Sequence, residues 1–226
     1  MRIIYSKYGI DLCLEENKIT TIVIENPLVM SEVIRDISRQ VNGEGGEWIL
    51  SEQDKIFSVE KSSMFLDNPL MVNSNEKRIL TRLYKELSEQ ANTLMYEEYM
   101  QINSCIVSFL GRLLDTVPYH LDMEVDMDLT GILKLYGVKM ESDGVSVLEA
   151  LLDYLRALSS ICNIYVVFIL NIKQFLTIEE VHQLYEFCFY EKMYLINLEG
   201  QKNYNLEQEK CVIIDKDLCI IDVSSN

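Results

Sequence analysis

Over the first 60 residues, apolar and polar positions follow the short period of strands, interrupted by one helical stretch. Residues 2–5 and 20–25 are β-branched apolar runs, and 11–14 predicts a short strand between them. Asn26 and Pro27 then open a helix, an Asn cap followed by Pro in the first turn, with Leu28, Val33, Ile34, Ile37 and Val41 at helical spacing. Asn42-Gly43-Glu44-Gly45-Gly46 stops it, and 48–50 and 56–59 predict two more strands as a hairpin. From 73 to 117 the period changes. Ile79, Leu80, Leu83, Leu87, Leu94, Met95, Tyr99, Ile102, Ile106, Leu110, Leu113 and Leu114 recur at helical spacings, with no proline before Pro118, which predicts long amphipathic helices forming an arm. Beyond Pro118 the alternation returns. Helices are expected over 129–136 (closed by Gly137), over 145–158, and from a Thr177/Glu180 capping box to about 190. Strands are expected over 165–170, 193–198, 211–214 and 218–223. The fold class is therefore α/β: a head domain, residues 1–62 and 130–226, with a mixed sheet layered by helices, and a long-helix leg domain, 63–129, inserted in it.

Composition narrows this only slightly. The 226 residues are 49% hydrophobic and 25% charged, with 3 prolines and 9 glycines, so neither disorder nor a flexible linker is indicated. The N-terminus lacks a secretory pattern, and the most apolar run, 164–170, is too short to span a bilayer. A soluble, cytoplasmic protein is expected, with no membrane partner. The six cysteines form no Cys-x-x-Cys pair and mostly sit in apolar runs, so they are read as reduced and buried. Two histidines do not furnish a zinc site. The net charge of −16 opposes a generally nucleic-acid-binding surface.

No Gly-Lys pair occurs, so a Walker A loop is absent, and Gly-x-Gly-x-x-Gly is absent too. There is no nucleophile elbow, and His120 and His182 lack an acid–base constellation. The chain is expected not to be an enzyme. The dense hard-ligand cluster is Asp122-Met123-Glu124-Val125-Asp126-Met127-Asp128, whose carboxylates alternate and would share one side of an extended backbone. It is not an EF-hand, because Met127 and Leu133 stand where that loop needs Gly and Glu. Two readings stay open: a cation site, and a solvated acidic loop whose Asp126 or Asp128 caps the next helix. Basic residues are sparse. Arg35 and Arg39 lie four apart on the first helix, Lys134 and Lys139 bracket the helix after the acidic run, and Arg78, Arg82 and Lys85 mark one side of the arm. Read singly, each is a solvated face.

Five ordered segments resemble the small ring-forming CRISPR-associated protein family of subtype II-A. They are Val72-Asn73-Ser74 leading into Ile79-Leu80; Leu121-Asp122-Met123-Glu124-Val125-Asp126; Ile132-Leu133-Lys134 through Gly137-Val138-Lys139; Phe175-Leu176-Thr177 with Glu180-Val181; and Ile214-Asp215-Lys216-Asp217. The resemblance runs from about residue 60 to the end. It departs over 1–14, and over 156–163, where lysines are fewer. It implies a head related to nucleotide-triphosphatase folds without the phosphate loop, a helical leg, and a homotetrameric ring encircling double-stranded DNA entered from an end. It also implies bound calcium, no catalysis, and a role in spacer acquisition beside the integrase and RNA-guided nuclease of the same locus. Asp122, Glu124 and Asp126 match the family's acidic segment, with Asp128 added, as candidate calcium ligands. Lys134 and Lys139 match basic positions, and with Arg35 and Arg39 are the candidate DNA contacts. The rival readings are a divergent nucleotide-binding or ATPase-like regulator and a structural adaptor with an acidic docking surface.

Overall fold

A computed structural model of the chain describes residues 1–53, 55–141 and 146–223. They divide into two compact units, residues 1–74 with 142–226, and residues 75–141. The sequence-based limits of 63 and 129 fall elsewhere for physical reasons. Residues Ser63–Leu66 pair in parallel with a strand a hundred residues on, and Leu129–Leu135 packs on the first helix of the second unit.

The first unit holds two sheets. The strands are β1 (Arg2–Tyr5), β2 (Ile10–Cys13), β3 (Ile19–Ile24), β4 (Trp48–Glu52), β5 (Lys55–Phe57), β6 (Ser63–Leu66), β7 (Val166–Leu170), β8 (Tyr194–Glu199), β9 (Glu209–Ile214) and β10 (Ile220–Asp222). A four-stranded antiparallel sheet runs β2-β1-β4-β5, and a six-stranded sheet runs β10-β9-β3-β8-β7-β6. In the latter only β10 is antiparallel, so the sheet is mixed, as expected. The expected hairpin over 48–59 forms, but Val59 begins a short helix, α2 (Val59–Ser62).

Helix α1 (Pro27–Val41) follows β3 directly. The Asn26 side chain accepts from the Leu28 and Val29 N–H groups at 3.0 and 3.4 Å, and Pro27 occupies the first turn. Val29, Met30, Val33, Ile37 and Val41 face one core with Ile22, Ile24, Ile196, Leu198, Val212 and Ile214 of the large sheet and Ile3, Trp48 and Leu50 of the small one. Trp48 stacks on Tyr5 at 4.6 Å and meets Phe168 edge-on at 5.3 Å, so a single aromatic cluster joins the two sheets. Gln40 seats Trp48 by donating to its carbonyl at 2.7 Å and accepting from its N–H at 3.0 Å.

The other face of the large sheet is covered by α7 (Ile178–Tyr190), with α6 (Val147–Ser160) packed on α7. The Thr177/Glu180 capping box forms in full, and a second box, Ser146 with Glu149, starts α6. The expected start of that helix at Val145 lies outside the described residues. Cys162, Cys188 and Cys211 are buried, but Cys13, Cys105 and Cys219 are exposed, which corrects the expectation of generally buried thiols. Cys13 ends the exposed side of β2, Cys105 lies on α4, which buries none of its residues, and Cys219 lies in the turn before β10. Among the described residues no helix is long and apolar enough to cross a membrane.

The second unit contains α3 (Lys77–Leu94), α4 (Tyr96–Leu114) and α5 (Leu129–Leu135). It is an insertion in the crossover between β6 and β7. Its two ends are clasped: Asn75 Nδ2 donates to the Met140 carbonyl at 3.0 Å, and the Met140 N–H returns to Asn75 Oδ1 at 2.8 Å. Tyr84 donates to the Val138 carbonyl, tying the returning chain to α3.

Candidate nucleic-acid interface

The place where a nucleotide-binding α/β protein holds phosphate is the turn from a central parallel strand into a helix. Here that turn is Glu25-Asn26 between β3 and α1. Two residues cannot wrap a phosphate. The first helical N–H groups are already taken by the Asn26 side chain, and its amide holds the Lys216 carbonyl at 3.3 Å. The rival nucleotide-binding reading therefore has no phosphate cradle at this turn.

Burying one side of α1 turns Glu32, Arg35, Asp36 and Arg39 outward as a stripe. With Tyr5, Ser6, Lys7 and Glu47 they line an open cleft of about 650 Å³, so Arg35 and Arg39 are brought together. The cleft is not positive, however. Lys7 pairs with Glu32 at 2.7 Å, and Tyr8 donates to the same carboxylate. Arg39 Nε pairs with Glu44 at 2.6 Å, and Asp36 accepts the Glu47 N–H at 2.9 Å. Arg35 makes no ion pair among the described residues. Their carboxylate partners hold Lys7 and Arg39 above their ordinary values, and hydrogen bonds from Lys7 and Tyr8 hold Glu32 below its own. Burial, with Asp36 nearby, pushes the Tyr5 phenol at the base up to about 12.

The acidic segment lies wholly in the second unit. Tyr99 donates to the Met127 carbonyl at 2.8 Å and anchors the segment against α4. Glu124, Asp126 and Asp128 edge an apolar groove of about 560 Å³ lined by Ile102, Ile106, Leu110, Val125, Met127 and Ile132. Asp122 accepts the Met123 N–H at 2.9 Å and is not part of that groove. Asp128 stands at the N-cap of α5 without a capping hydrogen bond from its side chain. Among the described residues no three His, Cys, Asp or Glu side chains gather closely enough to hold a metal ion. As arranged, Asp122, Glu124, Asp126 and Asp128 do not fit a calcium shell, which takes six to eight oxygens.

Lys134 lies in the last turn of α5, where the helix dipole favours a cation, and Gly137 closes the turn at φ 61°. Lys139 is exposed between Val138 and Met140, both tied to α3 or to the clasp at its start. On α3 itself, Arg78, Arg82 and Lys85 are exposed on one side.

Sequence reasoning missed a buried polar network on the large sheet. Lys173 donates to Glu209 at 2.7 Å and to the Tyr204 carbonyl at 2.8 Å. Glu209 also accepts from the Tyr185 hydroxyl, which in turn accepts from Asn197. Glu199 accepts from the Lys173 N–H and from Asn203. Burial pushes the Glu199 carboxyl up to about 7, and burial with the adjacent Glu209 raises the Tyr185 phenol. No periodicity signals this network, because its members come from five separate stretches of the chain.

The solved structures similar to this chain include an ATP-binding cassette of an ABC transporter in its ADP conformation. It is 15% identical, with a TM-score of 0.43, covering 91% of this chain and 79% of that one. Another is a dimeric ATP-binding cassette in a post-hydrolysis state bound to ADP and phosphate. It is 9% identical, with a TM-score of 0.40, covering 91% of this chain and 84% of the other. These likenesses are too slight to bear on function. A CRISPR-associated protein Csn2 from Streptococcus agalactiae is 22% identical over 222 residues, 90% of this chain and 97% of its own length. The sequence profile described as CRISPR-associated protein (Cas_Csn2) matches residues 40–218. That span is well over half of the chain, and the protein belongs to the CRISPR-associated Csn2 family.

Proposed function

We propose that this protein is a non-catalytic binder of double-stranded DNA ends that assembles as a homotetrameric ring. In this reading it requires calcium and serves spacer acquisition beside the integrase and RNA-guided nuclease of its locus. Family membership supports the CRISPR context. The structural observation that carries the non-catalytic reading is the β3–α1 turn, whose two residues and occupied cap leave no phosphate cradle. Assembly is supported by α4, none of whose residues is buried although Ile102, Ile106, Phe109 and Leu113 recur along it.

The candidate contacts differ in what surrounds them. Lys134 and Lys139 are exposed, whereas Arg35 and Arg39 share their cleft with Glu32, Asp36 and Glu47. Calcium enters through the density of carboxylates at Asp122, Glu124, Asp126 and Asp128. Binding there requires the 122–128 segment to rearrange or a second copy to contribute oxygens.

Light scattering after size exclusion, with and without millimolar calcium, tests the reading with linear and covalently closed duplexes. The expected outcome is a mass of four chains that retains linear duplex and not closed circles. Chelator and the combined Asp122→Ala and Glu124→Ala substitutions abolish retention. Equal retention of closed circles, or tight binding by single chains in chelator, contradicts it.

A further inference from the structure

Helix α3 carries an excess of positive charge in a chain whose net charge is −16. Between residues 77 and 85 stand Lys77, Arg78, Arg82 and Lys85 without an intervening carboxylate. At 100° per residue, Arg78, Arg82 and Lys85 form one stripe on the side opposite Leu80, Leu83, Tyr84 and Leu87. All three are exposed. Lys85 meets Glu89 at 3.6 Å with both side chains about two-thirds exposed, a pair that water and salt screen. The chain from Val138 to Met140 is held beside this half of α3 by Tyr84 and Asn75, which brings Lys139 to the same helix.

The placement also runs against the helix dipole. No acidic residue lies in the first turn of α3, which carries Lys77 and Arg78, and no basic residue lies in its last. Cations at that end raise the local potential and are disfavoured for helix stability, and departures of this kind concentrate where function outweighs it. Arg78 to Lys85 spans about 10 Å of helix axis. That matches about three axial steps between successive phosphates of one DNA strand, each about 3.4 Å. The cleft on α1 sets three carboxylates, Glu32, Asp36 and Glu47, around its three cations, Lys7, Arg35 and Arg39.

Resting on the duplex-binding reading above, we infer that the Arg78–Arg82–Lys85 stripe of α3, with Lys139 beside it, is the main phosphate-contacting surface of the chain. The α1 stripe of Arg35 and Arg39 contributes little. Such a surface contacts backbone, not bases, and is indifferent to sequence.

The test is fluorescence anisotropy of a blunt-ended duplex, in calcium, across a salt series. Compared are the full-length protein, an Arg78→Gln/Arg82→Gln/Lys85→Gln triple variant, an Arg35→Gln/Arg39→Gln double variant and Glu89→Lys. Each phosphate contact contributes about 0.9 to the slope of log K against log salt. The triple variant is expected to lose about two to three from that slope and roughly tenfold or more in affinity near 0.1 M salt. The double variant changes the slope by less than about one, and Glu89→Lys, which lengthens the stripe, steepens it. An unchanged slope in the triple variant, or a larger loss in the double variant, overturns the inference while the duplex-binding reading stands. Wild-type protein that binds no duplex overturns both. Glu89→Lys adds a contact to an exposed position, so its result does not depend on the triple variant folding.

Discussion

Lys173 and Glu209 have side chains 1% and 0% exposed, and the reason they are buried is topological. Strand β9 runs parallel to β3, which lies between it and β8. The chain must therefore return across the sheet between Glu199 and Glu209, and it does so without a helix. A strap of this kind brings backbone carbonyls over an apolar face, where each needs a donor. Lys173 supplies one to Tyr204, and Glu199 holds Asn203. The cost falls on Glu199, which is 1% exposed and whose carboxyl is pushed from its ordinary 4.5 to about 7, chiefly by burial. A carboxyl that holds its proton more tightly folded than unfolded contributes stability in full below about 4.5, and that contribution is lost as pH rises through about 7. The difference is on the order of 3 kcal/mol. Glu199→Gln keeps an acceptor for the Lys173 N–H and removes the titration. It is expected to raise the melting temperature at pH 8 and to flatten the stability profile between pH 5 and 8, as read by denaturant titration at each pH. A variant whose profile still falls over that window would place the titration elsewhere.

Elements were legible in the sequence where their cause is local, and illegible where it is not. The Asn26–Pro27 start of α1, the Thr177/Glu180 box and the Gly137 stop of α5 are each set by residues within a turn of one another, and each forms as read. Strand β6, four residues long, has no local cause. It exists because Val166–Ile169 offers it a parallel ladder, so 63–66 read as the start of the helical arm. The acidic segment shows the same limit. Alternate spacing placed its carboxylates on one side of an extended chain, but the segment is set by Tyr99 on Met127 and by the groove along α4, and the carboxylates do not converge. Lys77 lies in the first turn of α3, which has no acidic residues, so Lys77→Glu replaces an unfavourable dipole interaction with a favourable one. Stability is expected to rise by about 0.5–1 kcal/mol at low salt, less at high salt. A lower midpoint in urea, or a gain insensitive to salt, would show that the dipole does not govern this turn.

For the whole molecule, the two units differ in how they satisfy the hydrophobic effect. The first closes on itself through the core shared by both sheets and α1. In the second, α3 buries Ile79 and Tyr84, α4 and α5 bury nothing, and Phe109 and Leu113 are 57% and 50% exposed. A 19-residue helix with that much apolar surface in water is marginal by itself, since tertiary packing and not propensity supplies most helical stability. Covering it in the proposed ring would add roughly 25 cal/mol for each Å² of apolar surface removed from water. The combined Phe109→Glu and Leu113→Glu substitutions make covering that face expensive without touching a buried contact. On the proposed assembly they convert tetramers to single chains in light scattering, with the circular-dichroism signal of the first unit retained. They also release linear duplex, because threading needs a closed ring and single chains offer only a short basic surface. A double variant that keeps the four-chain mass would exclude this part of α4 from the interface. One that forms single chains yet retains duplex as tightly as before would show that DNA is held by one chain's surface and not by encirclement.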